Sequence, residues 1–182
     1  MKKILKKAVT VLRQGGVIAY PTEYCFGLGC DPRQVRAIQR ILAIKQRQAQ
    51  QGLILIAADL QQISFYAQTE GLERLPEIKA SWPGPNTWLL PAKASVNEWL
   101  RGRHTSIAMR IPQHNFCLSL CTQFDHAIVS TSANRHGQAD LINMQEVEDE
   151  LGNEVDYIVD GSVGGAEKAS TIRDAISGEI CR

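Results

Sequence analysis

No stretch of this chain approaches the roughly 18 consecutive apolar residues of a membrane-spanning helix. Charge of one sign is also missing: 20 Lys and Arg stand against 19 Asp and Glu, a net charge of +1. There is no global polycation, so any affinity for nucleic acid must come from a local patch. Aromatic residues make up 6% of the chain and form no array suited to stacking bases. The five cysteines contain no C-x-x-C pair, which argues against both a disulfide framework and a zinc site. Cys117 and Cys121, one helical turn apart, read as small core-facing hydrophobes. No G-x-x-x-x-G-K-[ST] occurs, which excludes ordinary P-loop binding of ATP. Repeats, low-complexity tracts and convincing linkers are lacking too. The 182 residues therefore fit one domain, 1–182, of the usual size of about 100–200 residues. The N-terminal MKKILKKAVTVL is basic and then apolar. Its apolar part is interrupted and no cleavage site follows, so it reads as a helix and not as a leader. A soluble, cytoplasmic protein is expected.

What is there centres on Val17 to Pro32, VIAYPTEYCFGLGCDP. An apolar β-type run, Val17 to Tyr20, ends at Pro21, which holds Tyr20 extended. Thr22 and Glu23 place a hydroxyl and a carboxylate at the strand end. Gly27 and Gly29 let the backbone fold back closely. Asp31-Pro32 reads as the N-cap and first residue of a helix. A strand ending in polar groups before a helix is where α/β folds place ligands, although an ordinary strand–loop–helix unit would look the same.

Before this stretch, Ile4, Leu5, Ala8, Val9, Val11 and Leu12 recur at helical spacing, with lysines on the other face. After it, Val35, Ile38, Ile41 and Leu42 predict a helix to about Ile44. If Lys45 and Arg47 act together, the helix must end before them, because residues two apart share a side only in extended chain. K-x-R alone usually means solvated charge. Leu53 to Ala57 reads as a buried strand. Asp59 caps a helix to Tyr66, and a weaker helix runs from Gly71 to Ser81. Trp82-Pro83-Gly84-Pro85-Asn86-Thr87 is a rigid turn, with Trp82 in the core and Thr87 a candidate to face a site. Trp88 to Lys93 is a strand.

In Ser106 to Pro112, alternation puts Ile107, Met109 and Ile111 on one face and Ser106, Ala108 and Arg110 on the other. An arginine flanked by small residues suggests a cavity with room for an anion, and a plain edge strand fits equally. Asn115 to Phe124 is a helix. The strand starting at Ala127 continues through Ser130-Thr131-Ser132-Ala133-Asn134, where Ser130, Ser132 and Asn134 share a face. Met144 to Leu151 is an acidic helix and Asp156 to Asp160 a strand. Gly161, Gly164 and Gly165 make a loop leading to Ser170-Thr171-Ile172-Arg173-Asp174.

Six blocks, PTEYCFGLGCDP, KQRQAQQGLILI, WPGPNT, SIAMRIP, STSAN and STIRDA, occur in the order of the YrdC-like family, the threonylcarbamoyl-AMP synthases. The resemblance covers about Ala8 to Ile180 and is strongest to the short bacterial form. It implies an α/β fold: a twisted open sheet of mixed strands, flanked by helices, around a concave, positively lined cavity. It implies a reaction of L-threonine, bicarbonate and ATP, the last with Mg2+, giving threonylcarbamoyl-adenylate and pyrophosphate. A partner transferase complex then modifies tRNA. The family signature of K-x-R with S-x-N falls on Lys45, Arg47, Ser132 and Asn134, the expected catalytic set. Thr22, Arg110, Ser130, Ser170 and Thr87 are the expected substrate and ATP contacts. Tyr20 or Ala108 is expected to wall the threonine methyl. Two positions depart: Gln48 stands where proline is usual, and His136 stands where a serine usually precedes the glycine. Two rival readings remain. One is an RNA-binding or ribosome-maturation module that uses the basic cavity. The other is a carbamoyl-transfer module of hydrogenase maturation, which occurs inside longer chains.

Overall fold

The computed structural model describes residues 2–182. Helix α1 (Lys2–Arg13) buries Ala8, Val9 and Leu12 and turns its lysines outward, as an amphipathic stripe requires. Strand β1 (Ile18–Pro21) follows. The next element is a second strand, β2 (Phe26–Gly29), paired antiparallel with β1, where the sequence suggests only a turn. Its glycines are required by their neighbours. A Cβ at Gly29 would stand 2.7 Å from the Tyr20 ring, and one at Gly27 3.2 Å from the Thr22 methyl. Glycine is poor in strands on propensity, so a strand whose glycines answer to cross-strand packing looks like a turn from sequence.

Asp31-Pro32 does not start the helix. The Asp31 carboxylate accepts from the Arg33 backbone N–H (2.9 Å) and from its guanidinium (2.8 Å). That local turn delays helix α2 (Val35–Ile44) by three residues. Helix α2 does end before Lys45. The Arg47 N–H reaches Leu42 O (2.9 Å) and the Gln46 N–H reaches Ala43 O (3.0 Å), with Gln46 left-handed at φ 51°. This is a Schellman ending with a non-glycine at its left-handed position. Lys45 and Arg47 therefore flank a tight turn and not an extended chain, and they diverge.

Strand β3 (Ile54–Ile56) comes next, then α3 (Leu60–Ser64), whose cap is Asp59 accepting from the Gln62 N–H, and α4 (Leu75–Ala80). The remaining elements are β4 (Asn86–Pro91), α5 (Glu98–Arg101), β5 (Ser106–Arg110), α6 (Asn115–Phe124), β6 (Ile128–Ser132), α7 (Met144–Leu151), β7 (Tyr157–Ile158) and β8 (Thr171–Asp174). All eight strands form one sheet in the order β7-β1-β2-β6-β3-β5-β4-β8. It is mixed: β1–β7, β3–β5 and β4–β8 are parallel and the other pairs antiparallel. Helices α1 and α6 pack together over one core, which holds Tyr20, Phe116, Cys117 and Cys121. A larger core holds α2 and residues such as Leu55, Trp88 and Met109. Among the described residues no helix is long and apolar enough to cross a membrane.

Candidate active site

The register sets the floor of a cavity. Ile54 lies opposite both Ser130 and Ala108, and Ala108 lies opposite Leu89. These four residues, from β6, β3, β5 and β4, make one row across the sheet, and all of them line a cavity of about 430 Å3. The alternation in β5 holds: Ser106, Ala108 and Arg110 face the cavity, while Ile107 and Met109 are in the core. Five cationic side chains line the space, Arg47, Arg101, Arg110, Lys168 and Arg182, against the carboxylates of Glu23 and Asp140.

At the inner wall the polar groups are held by protein. The Thr22 hydroxyl donates to Cys25 O (2.8 Å), leaving its lone pairs free to accept, and Thr22 lines the cavity. Ser130 Oγ accepts from the Tyr20 hydroxyl (2.8 Å), which frees its own proton to donate. Tyr20 itself is fully buried in the α1–α6 core, so it supports Ser130 and cannot wall the substrate; Ala108 does line the cavity. Arg110 pairs with Glu23 at 3.1 Å, both nearly buried, and the second Glu23 oxygen accepts from the Gln113 N–H (2.9 Å). The two blocks PTE and RIP are thus joined through one carboxylate.

The K-x-R and S-x-N blocks meet, but not in the way a shared face implies. Lys45, 4% exposed, donates to Ser132 O (2.6 Å) and Asn134 O (2.8 Å), with Ser132 Oγ at 3.3 Å and Asn134 Oδ1 at 3.4 Å. Ser132 donates to Asn134 Oδ1 (2.6 Å), and Asn134 donates to Gln138 O (2.6 Å). Arg47 and Ser132 line the cavity, whereas Lys45 and Asn134 lie outside its lining. The Lys45 ammonium is pulled down to about 8, by burial first and by the Arg47 charge second. Arg47 is lowered by burial and then by Arg182, and its Nε is buried without a hydrogen-bond partner. A buried donor left unpaired costs free energy.

Ser170 lines the cavity. Thr87 does not: it is fully buried and shares a 2.8 Å hydrogen bond with Ser170 Oγ, so it supports the site from behind. The two departures from the family pattern leave the local backbone compatible with the usual residues. Gln48 sits at φ −73°, the value a proline ring imposes. At His136 the exposed side chain is free to vary, while the backbone N–H donates to Lys45 O (3.0 Å).

Sequence reasoning passed over several groups. Glu23 was visible in the PTE block as a carboxylate at a strand end. Asp140, Lys168 and Arg182 carried no local signal, because long-range folding alone brings them to the cavity. Cys25 lines it too, its thiol pushed up to about 12 by burial and then by Asp140. Among the described residues no group of three His, Cys, Asp or Glu side chains is arranged to hold a metal. With Glu23 already bonded to Arg110, the donor set suits a cation that arrives on phosphates better than one held by the protein.

Fold and cavity together define an α/β protein whose mixed sheet floors a cavity lined by five cationic side chains and two carboxylates. The chain matches the Sua5/YciO/YrdC family model, described as "Telomere recombination", over residues 10–182, and it belongs to that family. It is 46% identical over 180 residues to a threonylcarbamoyl-AMP synthase of Xylella fastidiosa strain M12, covering 98% of this chain and 96% of that one. To the threonylcarbamoyl-AMP synthase of Vibrio vulnificus strain YJ016 it is 42% identical, covering 98% and 97%. Among solved structures, Escherichia coli YciO superposes with a TM-score of 0.84 at 26% identity, over 100% of this chain and 91% of that one. Sua5 of P. abyssi complexed with L-threonine gives 0.87 at 30% identity, over 95% of this chain and 51% of that one. The chain thus spans about half the length of the Sua5 chains it matches. HypF of T. kodakarensis, at 19% identity and a TM-score of 0.82, shares the fold.

Proposed function

We infer that this chain is a threonylcarbamoyl-AMP synthase, joining L-threonine, bicarbonate and ATP into threonylcarbamoyl-adenylate with release of pyrophosphate. The observation that carries the reading is the cavity itself. Hydroxyls held by protein partners and five cationic side chains line one space, in a chain 46% identical to enzymes of that name. The RNA-module reading is not favoured by the names of these relatives.

The chemistry asks little of a general base. Threonine's amine and bicarbonate give a carbamate with loss of water. A carbamate oxygen attacks the α-phosphorus, an O–P bond forms, and the bond to the pyrophosphate oxygen breaks. Such transfers depend on positioning and on stabilising charge as it develops. Arg47 and Arg182 take phosphate oxygens at the rim. Arg110, presented by Glu23, takes the anionic end of the amino acid or carbamate. Ser130, free to donate, and Thr22, free to accept, orient threonine's polar groups on the floor, with Ser132 and Ser170 completing the wall. Mg2+ would arrive bound to the ATP phosphates and offset their charge there, without a carboxylate set from the described residues to hold it. The adenylate is a reactive mixed anhydride, and the enzyme that consumes it is a transferase acting on an adenosine of tRNA.

The test is pyrophosphate release by the purified chain. It should require ATP, L-threonine and bicarbonate together. Pyrophosphate release independent of threonine, or none with all three present, refutes the reading.

A further inference from the structure

We propose that Lys45 is a positioning residue and not a substrate cation: its ammonium pins the Ser132–Asn134 turn, and Arg47 alone carries the phosphate-binding charge of the K-x-R block. This rests on the synthase reading for its ATP-binding and kinetic arms.

The geometry is one of saturation. An ammonium has three protons and no acceptor. Two of them go to the Ser132 and Asn134 carbonyls at 2.6 and 2.8 Å, and the third is shared between Ser132 Oγ and Asn134 Oδ1 at 3.3 and 3.4 Å. The connection runs both ways, because Lys45 O accepts the His136 N–H at 3.0 Å. One residue thus grips both ends of a five-residue turn, by side chain and by backbone. With Lys45 Nζ on its oxygen, Ser132 Oγ sends its proton to Asn134 Oδ1 and keeps a lone pair for a ligand donor. The Schellman ending of α2 explains the division of labour. Left-handed Gln46 turns the chain between the two cations, so that Lys45 enters the wall and Arg47 the cavity. Removing Lys45 would leave two carbonyls without their donor and release the serine that faces the substrate.

The experiment compares Lys45→Met with Arg47→Ala by three readouts: ATP affinity by calorimetry, kcat for pyrophosphate release, and the Asn134 side-chain amide resonance. Lys45→Met should bind ATP within about threefold of the parent, and its kcat should fall on the order of a hundredfold, the cost of a misplaced group. Its Asn134 resonance should shift. Arg47→Ala should weaken ATP by roughly tenfold or more, as loss of a charge-assisted bond does, and leave Asn134 in place. If Lys45→Met weakens ATP as much as Arg47→Ala, the proposal is overturned. It is equally overturned if ATP binding is retained and Asn134 does not move.

Should Lys45→Met fail to fold, the parent protein decides. The charged and titratable groups acting on Lys45 are Arg47, Cys25 and Asp140, and none of these contacts Asn134. The Asn134 resonance should therefore move with the Lys45 titration, followed in parallel by carbon NMR of the Lys45 ε-methylene, and an Asn134 signal that stays in place while Lys45 titrates refutes the pin. The Asn134 resonance requires neither ATP nor turnover, so failure of the synthase reading leaves that arm of the test intact.

Discussion

Lys45 has four oxygen atoms within 3.4 Å. Arg47, two residues on, has a buried Nε with none. The same contrast separates the inner wall of the cavity from its rim. On the wall, Tyr20 holds Ser130, Glu23 holds Arg110, and Thr87 holds Ser170. Each group is aimed before a ligand arrives, so little freedom is lost on binding. On the rim, Arg47 faces Arg182 closely enough that each charge opposes the other. An anion bound between them would offset that repulsion. The wall supplies orientation and the rim supplies charge, which is the partition expected when a small amino acid must meet a polyphosphate.

The largest effect that tests this contrast is a double dissociation. Arg47→Ala should lower kcat/KM by about a hundredfold or more and leave thermal stability unchanged or slightly improved, because an unpaired buried donor is removed. Lys45→Ala should lower kcat and also cost about 1–3 kcal/mol of stability, since its carbonyl partners lose their donor. Denaturant titration of both variants decides. Stability losses of equal size would erase the distinction between wall and rim.

Next in size is Glu23→Gln. The carboxylate and the Arg110 guanidinium are 15% and 10% exposed, so neutralising one partner strands a largely buried charge. A fully buried pair broken this way costs about 3–5 kcal/mol. This one keeps some contact with the cavity, so about 1–3 kcal/mol is expected, with KM for threonine raised more than KM for ATP. A variant as stable as the parent would show that Arg110 does not depend on the wall.

How much of this was legible in the sequence follows from which interactions are local. Strand alternation placed Ser106, Ala108 and Arg110 on the cavity face, and the end of the α2 stripe placed the stop before Lys45. The failures share one cause: a partner distant in the chain decided the outcome. Strand β2 exists because Gly27 and Gly29 accommodate Thr22 and Tyr20. Thr87 and Ser170 meet because β4 and β8 pair in parallel, 83 residues apart. Arg182 reaches the rim by the same route, its carbonyl accepting the Ile172 N–H at 3.0 Å. Lys45 and Arg47 were expected on one side of an extended segment, and a left-handed residue between them sends one inward and the other to the cavity.

A smaller effect sharpens the coupling between the two regions. Lys45 titrates at about 8 in the fold, against an ordinary value of 10.5, through burial and then through Arg47. Its ammonium is present below pH 8 and lost as pH rises through that value. Activity that depends on the pinned turn should therefore fall on an alkaline limb near pH 8. For stability the sign is opposite. Between pH 8 and 10.5 the unfolded chain binds the extra proton, so the Lys45 contribution rises with pH across that window. Arg47→Gln removes the like charge, so the Lys45 titration, followed by carbon NMR of its ε-methylene, should move to higher pH. No movement would mean that wall and rim do not sense each other.

The smallest expected effect concerns the loop that joins them. Gln48 follows Arg47 at φ −73° and ψ 137°, so its backbone already lies where proline's ring would fix it. Among the described residues no partner accepts its N–H, so a proline would remove no hydrogen bond between them. Its carbonyl, which accepts the Gln51 N–H at 3.3 Å, is kept by the substitution. Gln48→Pro then acts mainly on the unfolded chain, by restricting it, and should stabilise the fold by about 0.4–1 kcal/mol. Activity should hold or rise, since Arg47 gains a stiffer support while the Lys45 contacts are untouched. The measurement is the denaturation midpoint together with KM for ATP. Destabilisation would show that the ring clashes with the turn before it.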